Sequence, residues 1–139
     1  MKKNIALLIA MICLSCNNSK QITITKLKGS PSYEKSKLNI QNISFDEKGY
    51  NFSFGVEDYR LGIQTKKDFK HQLANSAKGQ HIHLIVNNNP YSAHYSERFK
   101  KELEGENNVI LAFLSRSHHE SVKNKNAYVL TQISEEEID

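Results

Sequence analysis

Hydrophobic and polar positions divide this chain into short alternating segments. The clearest is Tyr50, Phe52, Phe54 and Val56, set against Asn51, Ser53, Gly55 and Glu57. A period of two places one set on the core face of a strand. The alternation runs on through Tyr59, Leu61 and Ile63, which extends the expectation to 63. Upstream, Lys37–Asp46 reads as a strand whose parity switches. Leu38 and Ile40 share one phase and Ile43 and Phe45 the other, so a bulge near Gln41-Asn42 is predicted. Asp46-Glu47-Lys48-Gly49 is then a tight turn. His81, His83 and Ile85 alternate with Ile82, Leu84 and Val86, and Asn87-Asn88-Asn89-Pro90 ends that strand. Val109–Leu114 is apolar on both faces, as a central strand would be. Ala127–Ile133 is a last strand, and Ile22 and Ile24 within Gln21–Leu27 suggest a first one.

Two stretches break this rhythm. In Thr65–Lys78, Phe69 and Leu73 lie four apart with Ala74 and Ala77 nearby, which predicts a short helix or an ordered loop. In Tyr91–Leu103, Tyr95, Phe99 and Leu103 fit a helical face, over a segment short for a helix. Several short strands separated by turn signals predict an all-β sandwich. No repeat of solenoid period is visible.

The N-terminus follows other rules. Lys2 and Lys3 precede an apolar run from Ile5 to Leu14. A membrane-spanning helix needs roughly 20 apolar residues, so this run has the length of a signal-peptide core instead. Leu14-Ser15-Cys16 follows at once, then polar Asn17-Asn18-Ser19-Lys20. A small residue before a cysteine at this place resembles the lipobox of bacterial lipoproteins. The resemblance implies cleavage before Cys16 and a lipid on its thiol. Cys13 stands where the lipobox usually has an aliphatic residue, and a thiol is itself a small hydrophobe. Ordinary secretory cleavage near Ser19 is the alternative. The expected division is a signal peptide over 1–15, the lipidated Cys16 with tether and first strand over 16–36, a sandwich over 37–133, and an acidic tail over 134–139.

Composition sharpens this picture. The chain of 139 residues is one domain long and carries a formal charge of +4, with 16 Lys and three Arg. Losing Lys2 and Lys3 with the signal lowers the charge to +2, and no basic stripe suggests nucleic acid. Both cysteines, Cys13 and Cys16, belong to the signal region. Residues 17–139 therefore hold no disulfide, no cysteine-bound zinc and no cysteine nucleophile.

The candidate chemistry lies in histidines. His81 and His83 share one face of their strand. His118, His119 and Glu120 follow the strand ending near Ser115. Antiparallel pairing of the two strands would bring both groups to one end of the sandwich. Imidazoles and a carboxylate suit zinc or copper(II), so His81, His83, His118, His119 and Glu120 are the candidate ligands. The competing reading is a hydrogen-bonded polar cluster. His94 is a further candidate, and His71 reads as a solvated residue. Arg116 has a fork suited to a carboxylate or phosphate ligand, or to a salt bridge with Glu120. Ser115, His118 and Glu120 make a hydrolase set on paper. No nucleophile elbow, phosphate loop or dinucleotide fingerprint accompanies them, so enzyme chemistry is not expected. Tyr59, Tyr91 and Tyr95 offer a surface for a glycan.

The runs Lys78–Asn88, Pro90-Tyr91 and Leu111–Ser121, with Tyr59, Leu61-Gly62 and Gln64-Thr65, resemble an uncharacterised family of bacterial envelope lipoproteins. The resemblance spans roughly residues 50–130. It implies an exported, immunoglobulin-like β-sandwich, lipid-anchored to the inner or outer membrane of a Gram-negative-type envelope. Its partners would be the membrane and another envelope protein or a glycan. The family pattern continues into further β structure, so this chain reads as a short or truncated member and an incomplete sandwich. The resulting expectation is a lipoprotein with a binding or structural role at the envelope. A periplasmic metal-binding module is the first alternative and a small hydrolase the second.

Overall fold

The computed structural model describes residues 22–24 and 29–134. The signal segment, Cys16 and residues 135–139 of the acidic tail lie outside them. Seven strands follow in order: β1 (Lys37–Asp46), β2 (Gly49–Glu57), β3 (His81–Val86), β4 (Ser92–His94), β5 (Arg98–Lys101), β6 (Asn107–Ser115) and β7 (Tyr128–Ser134). They form two antiparallel sheets, β1-β2-β5 and β4-β3-β6-β7. This is the all-β, two-sheet arrangement of a β-sandwich, and no helix occurs among the described residues.

The alternation of each strand builds the core. Tyr50, Phe52 and Phe54 of β2 meet Ile82 and Leu84 of β3 and Ile110 and Leu114 of β6 in one cluster. Aromatic rings give this core its spine. Phe52, Phe54 and Phe99 stack with centroids 5.4–6.1 Å apart. The β1–β2 register shifts between Ile40 and Asn42, at the expected bulge. The extra residue lets Leu38, Ile40 and Ile43 all pack on the core despite their opposite parities.

The sheet borders lie against one another. Leu38 N donates to Asn126 O (2.8 Å), tying β1 to the approach to β7. On the other side Phe54 N donates to Glu97 O (2.9 Å), between β4 and β5. The outer face of the larger sheet, around Ile85, Leu111, Phe113, Tyr128 and Leu130, is apolar and partly exposed.

Four expectations change. First, β2 ends at Glu57. Asp58 takes a positive φ of 49°, which no strand continues, and Tyr59 turns inward to donate its hydroxyl to Ser115 O (2.8 Å). Second, 65–78 is the ordered loop rather than the helix. Gln64 Nε2 donates to the carbonyls of Ser76 and Ala77, and Thr65 and Ser117 exchange two hydrogen bonds. Third, Tyr95, Phe99 and Leu103 form no helical face. Pairing with β3 and β2 draws their segment into β4 and β5 instead. Fourth, Ile22–Ile24 carry no strand. Ile22 and Ile24 are exposed, and nothing among the described residues pairs with them; residues 21 and 25–27 of that expected strand lie outside the described residues.

Candidate metal centre

The entry to β3 is fixed by backbone geometry. Gly79 sits at φ +92°, and a Cβ there would stand 2.4 Å from Ile63 O. That same carbonyl accepts from Gln80 N (2.7 Å), and Gly62 N donates back to Gln80 O (2.8 Å). Only a glycine permits so close a pass. The Gln80 side chain is then buried, accepting from Tyr33 and Thr65 and donating to Arg60 O. His81 and His83 follow on the outer face of the sheet, because Ile82, Leu84 and Val86 take the inner one.

On β6, Ser115 lies opposite His81 and Phe113 opposite His83. Beyond Ser115 the chain reverses. Arg116 N donates to Glu120 O and His119 N to Arg116 O, both at 2.9 Å. His119 takes a positive φ of 63° in this turn, and its ring centroid comes within 5.1 Å of His81 and 5.8 Å of His83. One ligand atom from each of His81, His83 and His119 falls within 4.8 Å of the others.

The hydrogen bonds assign the protons. His81 Nδ1 donates to Gly79 O (2.8 Å), which leaves its Nε2 bare. That nitrogen lies 2.7 Å from His83 Nε2, so His83 donates Nε2–H to His81. The backbone carbonyl thus orients His81 as an outer partner orients a metal ligand. Burial pushes the His81 imidazole below its ordinary range. Burial first, then the neighbouring His81 and His119, pushes His83 down to about 4. Both rings are neutral at pH 7, the form in which imidazole binds metal.

Aromatic rings wall the cluster. Tyr91 stacks on His83 with centroids 4.0 Å apart and planes 18° apart. Phe113 meets His83 edge-on at 5.1 Å, and Tyr95 lies 5.1 Å from His81. Tyr95 is held by its hydroxyl, 2.7 Å from Ser76 Oγ.

The other expected ligands stand elsewhere. His118 points away from its neighbour into the interior, edge-on to Phe69 at 5.5 Å. Its Nε2 lies 3.3 Å from Glu120 Oε2, and its buried Nδ1 has no hydrogen-bond partner among the described residues. Glu120 also lies 3.8 Å from Arg116 Nη1. Neither His118 nor Glu120 belongs to the three-histidine group. His94 faces the opposite side of its sheet, flat on Phe99 at 3.5 Å and 2.9 Å from Ser92 Oγ.

The Arg116 fork is turned to the chain's own carbonyls. Its Nη1 donates to Ser121 O (2.9 Å) and Nη2 to Pro31 O (2.6 Å), and the guanidinium covers the Tyr33 ring at 5.3 Å. Buried, with both terminal nitrogens on backbone carbonyls and its Nε without a partner among the described residues, it fastens the segment before β1 to the turn after β6. The paper triad is likewise not assembled, since Ser115 Oγ donates to Arg116 O (3.3 Å) rather than to His118.

Sequence reasoning did not connect Gly79, Phe113, Tyr91 and Tyr95 to the histidines. The available signal was Gly79, two residues before His81 and able to offer it a carbonyl. Comparison with family models, with curated proteins and with solved structures finds no match to this chain.

Proposed function

We propose that this protein is an envelope lipoprotein whose β-sandwich binds a transition-metal ion, copper(II) or zinc, through His81, His83 and His119. The observation that carries the reading is the convergence of three imidazole ligand atoms within 4.8 Å on one face. Two of these rings are held neutral, and one is pre-oriented by Gly79 O.

The spacing of His81 Nε2 and His83 Nε2, 2.7 Å, bears on the choice of metal. Nitrogens at right angles around an ion about 2.05 Å away lie about 2.9 Å apart, whereas tetrahedral ones lie about 3.4 Å apart. Tetragonal copper(II) therefore needs almost no opening of the pair, and zinc needs about 0.7 Å. In either case His83 would bind as its other neutral tautomer, with the proton on Nδ1.

The test is a thermal melt of the purified protein, first with EDTA and then with each metal. Binding to the folded state at a hundredfold excess over Kd adds about 2.7 kcal/mol. The expected rise is roughly 10 °C, lost in His119→Ala, whose exposed side chain makes this the mildest of the three substitutions. An unchanged melting temperature in the wild type, or an equal rise in His119→Ala, overturns the metal reading. The anchor rests on the sequence, on Lys2-Lys3, the apolar run Ile5–Leu14 and Leu14-Ser15-Cys16. Cys16→Ser is expected to release the protein from the membrane fraction, and continued sedimentation with membranes overturns lipidation.

A further inference from the structure

We infer that the three-histidine centre keeps a fourth coordination position open to solvent, and that this position takes a small anion. The inference rests on the metal reading and deepens it.

Donor count comes first. Among the described residues the group consists of His81, His83 and His119, and neither a cysteine nor a carboxylate belongs to it. Structural zinc sites are closed by four protein ligands, whereas three ligands with a vacant position mark sites that bind water or substrate. Access comes second. His81 and His83 are buried beneath the cluster, while His119 and Tyr91 are exposed, so the uncovered side of an ion held here faces water. Charge comes third. Neutral imidazoles leave both positive charges of the ion uncompensated. The nearby carboxylate of Glu120 is engaged by His118 and Arg116. Lys78 Nζ, 5.5 Å from the Tyr95 ring centroid, adds positive charge on this side. An anion, or a water that ionises, is the ligand such a position favours.

The experiment loads the purified protein with one equivalent of copper(II), verified by titration calorimetry, and titrates sodium azide. The expected result is a saturable azide-to-copper charge-transfer band at one azide per copper. It should persist in Tyr91→Phe and Glu120→Gln, which remove two oxygen donors beside His83 and His119. Copper binding without an azide band shows a closed centre and overturns the inference while the metal reading stands. A band seen only in Tyr91→Phe or Glu120→Gln shows that the deleted side chain fills the fourth position, and also overturns it. Failure to bind copper or zinc removes the metal reading and this inference together.

Discussion

Replacing Gly79 by alanine tests how closely the chain passes itself at the entrance to β3. Two costs are separable. An L-residue at φ +92° costs about 1–2 kcal/mol relative to glycine. The new methyl would also stand 2.4, 2.5 and 2.7 Å from Ile63 O, C and N, distances that force backbone to move. Moving Ile63 breaks the reciprocal bonds between Gln80 and the 62–63 segment, each worth about 1 kcal/mol net. The total expected loss is about 3–4 kcal/mol. Gly105→Ala is the internal control, because φ is +78° there and nothing lies within 4 Å of the added carbon. It should lose only the conformational part, about 1–2 kcal/mol. Urea denaturation of both variants against wild type, at unchanged m-value, reads the difference. Equal losses would refute the argument, because the close approach at Ile63 would then cost nothing.

Four further outcomes are expected. The folded His83 pKa, about 4, lies below the unfolded value of 6.5, so the unfolded state takes up the proton first. Stability of the metal-free protein from this group is therefore complete above pH 6.5 and lost as pH falls toward 4, by at most about 3 kcal/mol. Urea midpoints across that range should fall less in His83→Phe than in wild type, and parallel curves refute the assignment. Phe54→Ala, which removes a fully buried ring from the stack with Phe52 and Phe99, should cost about 3–5 kcal/mol by chemical denaturation. Tyr59→Phe deletes the hydroxyl donor to Ser115 O and should cost about 1–2 kcal/mol by the same assay. Arg116→Lys keeps the charge but cannot span Pro31 O and Ser121 O. A loss of about 2 kcal/mol is expected, with faster proteolysis near residues 29–36.

Strands were legible where a single face had to be buried. β2 and β3 carry the two-residue period, β6 was read instead from an unbroken apolar run, and the bulge in β1 showed as a change of parity. The antiparallel pairing of β3 with β6 was a condition that no residue pattern supplied; the structure meets it and brings His119 to His81 and His83. Failures came where tertiary partners decide. β4 and β5 are three and four residues long, too short for a period to show, and exist because β3 and β2 offer them ladders. Tyr59 continues the alternation in sequence, yet Asp58 turns the chain out of the sheet. The choice of His119 over His118 was illegible for a similar reason. Adjacent side chains diverge, and the left-handed turn at residue 119 decides which one meets His81.

The meeting of the sheet borders bears on how the folded molecule behaves in company. An exposed sheet edge is a template on which another chain can add a strand. Here β1 is tied to the approach to β7 through Leu38 and Asn126, and the β4–β5 side is drawn together through Phe54 and Glu97. The strands on that second side are the shortest in the protein. An incoming chain thus finds the start of β1 and part of the β4–β5 side already engaged. A partner that adds a strand would therefore have to pair along the remaining length of β1 or β7, beside the apolar outer face of the larger sheet.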